Sequence, residues 1–216
     1  MTQKPVFINK KMLTAFTAAL ILITVSELGD KTFFIAVILS MRYPRRLVFI
    51  GVVAALAAMT ILSVLMGQVF SFLPKIYLFY GEIGLFLLFG TKLLIDASKM
   101  PAHSEEAVMD EAKEAIDNSE KNLKRHPQQW GIILESFILT FIAEWGDRTQ
   151  IATIALAASN SALAVTAGAI LGHTICALIA VIGGKLIAGR ISERTITVVG
   201  GLLFYVFAIV AFLEGP

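Results

Sequence analysis

Val25-Ser26-Glu27-Leu28-Gly29-Asp30-Lys31-Thr32 and Ile142-Ala143-Glu144-Trp145-Gly146-Asp147-Arg148-Thr149 are two versions of one eight-residue stretch, set 117 residues apart. The same offset carries Val48 to Val165, Gly51 to Gly168, Gly67 to Gly184 and Gly84 to Gly201. The chain is therefore an internal repeat, and each copy of the stretch lies inside an apolar run. A bilayer core takes about 20 apolar residues of helix, and six stretches qualify: 12–40, 47–70, 76–96, 131–157, 161–188 and 195–213. Three per copy is an odd number, so the second copy must enter the membrane from the opposite side. The expected fold class is all-α, a polytopic membrane protein with six transmembrane helices arranged as a 3+3 inverted repeat. Repeat one spans 1–96, a charged linker 97–129 and repeat two 130–216. Such repeats commonly hold their substrate near the midplane, where the halves meet.

Composition agrees. Of 216 residues 57% are apolar and the mean hydropathy is +0.79, against about 45–50% apolar for an average soluble domain. A soluble fold of this length cannot hide so much apolar side chain. A net charge of +2 gives no footing for nucleic acid, and Lys and Arg gather at segment ends, as topology signals do. The side holding 41–46, 97–129 and 189–194 carries ten: Arg42, Arg45, Arg46, Lys99, Lys113, Lys121, Lys124, Arg125, Arg190 and Arg194. The other side carries four: Lys4, Lys10, Lys11 and Lys75. This bias puts the linker in the cytoplasm and both termini outside, although Lys10 and Lys11 abut the first helix and count against it. The linker itself, with Glu106, Asp110, Glu114 and Asp117 at helical spacing, reads as solvated and partly helical; a regulatory or partner-binding arm is the alternative. Cys176 is the single cysteine, which excludes an intramolecular disulfide and a Cys-based zinc site. The first apolar run exceeds signal-peptide length and lacks a cleavage pattern, so it reads as a membrane helix.

Of 34 charged residues, twelve lie between Lys99 and Arg125 and eleven at expected membrane edges, leaving eleven within or at the ends of the apolar runs. Among these, Glu27, Asp30, Glu144 and Asp147 fall near the middle of the first and fourth helices. An ionised carboxylate in hydrocarbon costs at least about 2.5–3.5 kcal/mol, so it needs a partner or a water-filled cavity. On a continuous helix Asp30 lies about 60° to one side of Glu27 and Lys31 about 40° to the other. The geometry repeats for Glu144, Asp147 and Arg148. Thr32 and Thr149 point about 140° away from the glutamates and join them only if the helix distorts. Gly29 and Gly146, between the acids, permit either close helix approach or a local break.

Four carboxylates with nearby hydroxyl and carbonyl oxygens make a hard, all-oxygen environment suited to Mn²⁺, Ca²⁺ or Mg²⁺. With Lys31 and Arg148 the group carries a net −2, which one divalent cation or two protons would neutralise. That balance favours metal–proton exchange. The bland alternative is a pair of i,i+4 ion pairs, Glu27–Lys31 and Glu144–Arg148, that lock two helices; their recurrence at matched positions counts against it. His173 has no counterpart in the other half and reads as a packed helix–helix hydrogen bonder, with a site role as the alternative. Glu82 and Glu135 have no acidic counterparts either and are expected at interfacial helix ends. Gly168 and Gly172 read as close-packing positions.

The paired motifs Glu27-Leu28-Gly29-Asp30-Lys31-Thr32 and Glu144-Trp145-Gly146-Asp147-Arg148-Thr149 resemble the E-x-G-D-[KR]-[ST] signatures of the Gdt family of cation/proton exchangers, over roughly residues 14–96 and 131–213. The family includes a human Golgi membrane protein linked to glycosylation defects, chloroplast manganese transporters and bacterial manganese exporters such as Mnx. The resemblance implies transport of Mn²⁺ or Ca²⁺ against H⁺ and a metal site formed by Glu27, Asp30, Glu144 and Asp147. Thr32, Thr149, Lys31 and Arg148 are secondary candidates. The metal is cargo, and no resident cofactor is expected. The expected partners are a divalent metal ion, protons and the lipid bilayer, with a homo-oligomer left open. No long targeting extension precedes the first helix, unlike organellar members, which points to a bacterial plasma membrane or an internal photosynthetic membrane. Mn²⁺ export is the leading reading. A Ca²⁺/H⁺ exchanger uses the same ligands, and a non-transporting membrane assembly factor is a separate class. An intramembrane protease needs two aspartates sharing a proton; a glutamate and a base beside each aspartate suit a cation better.

Overall fold

Hydrocarbon offers a backbone N–H no partner, so an apolar run satisfies its own amides by forming a helix. The structure, a computed structural model, describes residues 10–100, 104–122, 128–187 and 193–215. Among these the regular structure is helical throughout: α1 (Lys10–Glu27), α2 (Lys31–Arg42), α3 (Arg45–Phe70), α4 (Lys75–Lys99), α5 (Ser104–Asn122), α6 (Gln129–Ala143), α7 (Arg148–Ser159), α8 (Ala162–Ile187) and α9 (Glu193–Glu214). Lys4, Lys124, Arg125 and Arg190, which enter the orientation count, lie outside the described residues.

Among the described residues four helices are long and apolar enough to cross a membrane: α3, α4, α8 over Ala162–Gly183 and α9 over Arg194–Glu214. The first expected span, 12–40, is not one rod. It is broken between Glu27 and Lys31, and α1 and α2 meet at 65°, qualifying only together as a fifth span. The fourth expected span, 131–157, is likewise divided into α6 and α7. Both corrections have one cause, a glycine followed by a helix-capping aspartate, described below.

The repeat is visible in the elements. The limits of α2 and α7, and of α3 and α8, differ by 117 at both ends. Two apolar clusters organise the packing. One holds Phe33–Leu39 of α2, Val48 and Val52 of α3, Ile132 of α6 and Ala177, Ala180 and Val181 of α8. The other holds Ala15, Ala19 and Leu22 of α1, Val64 of α3, Leu156 of α7, Val165 of α8, and Phe86 and Phe204 of α4 and α9. Chain direction between them reverses from one copy to the other. From α1 to α2 the chain passes from the second cluster to the first; from α6 to α7 it passes from the first to the second. The helices α3 and α8 reverse in the same way.

Small residues set the closest crossings. A Cβ on Gly51 of α3 would stand 2.5 Å from the Ile133 carbonyl of α6, and one on Gly168 of α8 would collide with the Phe16 carbonyl of α1. These are repeat counterparts, so one close contact is used twice. Gly172 meets Leu20 of α1 in a similar way.

Glu82 and Glu135 are buried in the protein, because α4 and α6 turn these faces into the bundle. Glu82 accepts a long hydrogen bond from Asn160 Nδ2, at 3.5 Å, beside a cavity of about 320 Å³ that Lys75 and Glu214 also line. The linker is also more than solvated chain. In α5, Val108, Ala112 and Ile116 repeat every fourth residue and form an apolar stripe; Ala112 and Ile116 are fully buried in the first cluster, against α2.

Candidate metal centre

The site begins with the break in each motif. Gly29 and Gly146 have φ of +77° and +81°, a region a side chain strongly disfavours. The aspartate that follows is extended and caps the restarting helix. Asp30 Oδ1 accepts from the Lys31 backbone N–H at 2.8 Å, and Asp147 Oδ2 accepts from the Thr149 N–H at 3.3 Å. The motif is therefore a helix stop, a left-handed residue and an N-cap. It leaves Glu27 as the last residue of α1 and Glu144 as the cap that closes α6.

This distortion is what brings the threonines in. On a straight helix Thr32 and Thr149 would face away. Here Thr32 Oγ1 donates to Glu27 Oε2 at 3.2 Å. Thr149 Oγ1 stands 2.9 Å from Asp147 Oδ2 and 3.4 Å from Glu144 Oε2. Each hydroxyl also faces the glutamate of the other copy. Gln150 completes the second turn by accepting from the Gly146 N–H at 2.7 Å.

Three of the four acids converge. Glu27, Glu144 and Asp147 each offer a carboxylate oxygen within 4.8 Å of the others. Glu27 and Glu144 are 2% and 3% exposed. At that separation each ionised pair repels by about 3–4 kcal/mol even at an effective dielectric of about 20. Such a cluster favours taking up a cation or protons.

Asp30 is placed differently. Its Oδ2 meets Arg148 Nη2 at 3.1 Å, and the same guanidinium nitrogen donates to the Ser26 carbonyl at 3.3 Å. This pair crosses from one copy to the other. Lys31 turns outward, with Nζ 2.6 Å from Glu111 Oε1 on α5. The i,i+4 pairs weighed as an alternative are therefore not made, because each helix breaks between the partners. Asp30 and Arg148 also line a cavity of about 60 Å³ with Met100 and Ile196, where α4 ends and α9 begins.

His173 lies against the site, with Nδ1 3.9 Å from Glu27 Oε1 and both atoms buried without a hydrogen bond among the described residues. Sequence reasoning gave His173 only a secondary reading and missed Gln150 and Glu111. The stripe Val108–Ala112–Ile116 was the available signal that α5 packs against the bundle, which brings the exposed Glu111 within reach of Lys31.

The family described as divalent cation/proton antiporter GDT1 matches residues 15–101 and 132–216, the two repeat copies. The chain belongs to the GDT1 family. It is a transporter and not an enzyme, a multi-pass membrane protein whose transported species are divalent cations and protons. The chain is 70% identical over 200 residues to the GDT1-like protein sll0615 of Synechocystis, covering 93% of this chain and 97% of that one. It is 41% identical over 213 residues to the chloroplastic GDT1-like protein 2 of Oryza sativa subsp. japonica, covering 92% of this chain and 61% of the rice protein. It is 42% identical over 214 residues to the chloroplastic PAM71-homolog of Arabidopsis thaliana, covering 92% and 59%. No solved structure matches the chain.

Proposed function

We propose that this GDT1 transporter exports Mn²⁺ from the cytoplasm in exchange for H⁺, at a metal site built on Glu27, Glu144 and Asp147, with Asp30 beside it. Three carboxylates drawn from both repeat copies, two of them buried and Asp147 half-buried, within 4.8 Å of one another, carry this reading. All the donors are oxygen, which suits a hard divalent ion. The metal needs the ionised acids, so its binding releases protons and protonation expels it. Opening such a site to the two sides of the membrane in turn gives exchange.

The reading includes a six-span, 3+3 inverted arrangement, with α1–α2 and α6–α7 as broken spans. The matched element limits and the reversed course between the two apolar clusters support it. Repeat one is 1–96, the linker 97–129 is cytoplasmic and repeat two is 130–216. The likeness to a cyanobacterial protein favours a bacterial plasma membrane or an internal photosynthetic membrane. Ca²⁺/H⁺ exchange is the second reading, favoured by the same all-oxygen donor set.

Purified protein in liposomes tests this directly. A Mn²⁺ gradient should drive proton movement, read by a trapped pH dye. Flux with Ca²⁺ but none with Mn²⁺ reverses the order of the two readings. Silence with both ions removes exchange altogether.

A further inference from the structure

The two motif bases are repeat counterparts, yet they do different things. Arg148 crosses to Asp30 of the other copy at 3.1 Å. By the repeat, Lys31 should cross to Asp147 in the same way. It turns outward to Glu111 instead, at 2.6 Å. The helix that supplies Glu111 lies in the linker and has no counterpart in the other copy. Its position is fixed independently of Lys31. Ala112 and Ile116 are fully buried against the rest of the fold, and Asp117 pairs with Arg42 at the far end of α2, at 2.7 Å.

From this geometry we infer that Glu111 is a positioning residue for the cation site, holding the Lys31 ammonium out of it. Lys31 exchanges between Glu111 and Asp147. On Glu111, it leaves Asp147 to complete the three-carboxylate cluster. On Asp147, it is a tethered positive charge that competes with the transported divalent cation. A lysine suits the mobile role, being a compact charge on a flexible stem, whereas the planar arginine fork favours a fixed carboxylate partner. Lys31 opens α2 directly after Asp30, and its side chain is only 34% exposed. A swing of the side chain changes its partner. This inference rests on the cluster being the cation site.

The test is Mn²⁺ binding to the purified full-length protein, together with zero-length carbodiimide cross-linking read by peptide mass spectrometry. An exposed ion pair of this kind biases an equilibrium by roughly two- to fivefold. Glu111→Gln should weaken Mn²⁺ binding by that factor, while Asp117→Asn, which removes the pair to Arg42 but leaves the Glu111 carboxylate and the buried Ala112–Ile116 anchor of α5, should not. In a Lys31→Met background Glu111→Gln should have no further effect. Wild type should give a Lys31–Glu111 cross-link, and Glu111→Gln should give Lys31–Asp147 in its place. The cross-link needs no metal. It therefore separates failure of this inference from failure of the cation-site reading, which a wild-type protein that binds no Mn²⁺ would expose. Equal effects of Glu111→Gln and Asp117→Asn, a persistent effect without Lys31, or no Lys31–Asp147 cross-link would each overturn the inference.

Discussion

At the scale of single residues, the chemistry rests on how few charges are buried and how they are partnered. Glu27, Glu144 and Asp147 face one another, whereas Asp30 is matched by Arg148. Bulk water cannot stand in for a carboxylate lost there. Glu27→Gln, Asp30→Asn, Glu144→Gln and Asp147→Asn should each abolish or severely reduce Mn²⁺ export while the protein still inserts. Glu114→Gln, on the exposed side of α5, should be nearly silent. Near-normal export by the Glu27→Gln or Glu144→Gln protein would falsify the site. Proton coupling belongs to the same residues. Metal selects the deprotonated cluster, so the protonated form must lose protons before it binds. Apparent Mn²⁺ affinity should therefore weaken as pH falls from about 8 to 5.5, the lower limit lying about a unit above ordinary carboxylates. Calorimetry in buffers of different ionisation enthalpy reads the protons released. A flat affinity with no release would make a channel-like route for the metal the better account.

At the scale of elements, the glycine-aspartate break matters more than any helix it separates. An L-residue at φ near +80° costs about 1–2 kcal/mol. Gly146→Ala meets open space and should lose about that much, whereas Gly29→Ala also presses on Ile196 Cδ1 at 3.0 Å and should lose more. Both should impair transport, because straightening the break turns Thr32 and Thr149 away from the glutamates. Thermal unfolding in detergent gives the order of the two, and equal losses would mean that the Ile196 contact yields freely. The crossings of α3 with α6 and α8 with α1 follow a different rule. There the carbonyl of the facing helix occupies the space of a side chain, so Gly51→Ala and Gly168→Ala should each cost about 1–3 kcal/mol through overpacking. A melting temperature unchanged in both variants would show that these helices can separate without loss.

At the scale of the whole molecule, the reversed course of the two copies predicts which loops share a side. Ser71 and Ser159 line one cavity, and α5 lies at the opposite end of α4. In a Cys176→Ala background, Ser71→Cys and Ser159→Cys should react with an impermeant maleimide in intact cells, and Glu114→Cys only after permeabilisation. Ser71 and Ser159 reacting from different sides would rule out the 3+3 arrangement. The sequence by itself determined the membrane class, the internal repeat and the residues of the motif, because apolar runs and a conserved spacing between copies are written along the chain. Its helical wheel failed where the helix does: Gly29 and Gly146 carried the signal of a break, but periodicity cannot state its angle. Tertiary structure alone decided the partners. It brought Glu27 to Glu144 and Asp147, gave Asp30 to Arg148, and sent Lys31 to Glu111 on a helix that charge pattern had marked as solvent. Each of those contacts joins residues 80 or more positions apart. Distance along the chain says nothing of such meetings, which depend on how two broken spans and a linker helix pack around one another.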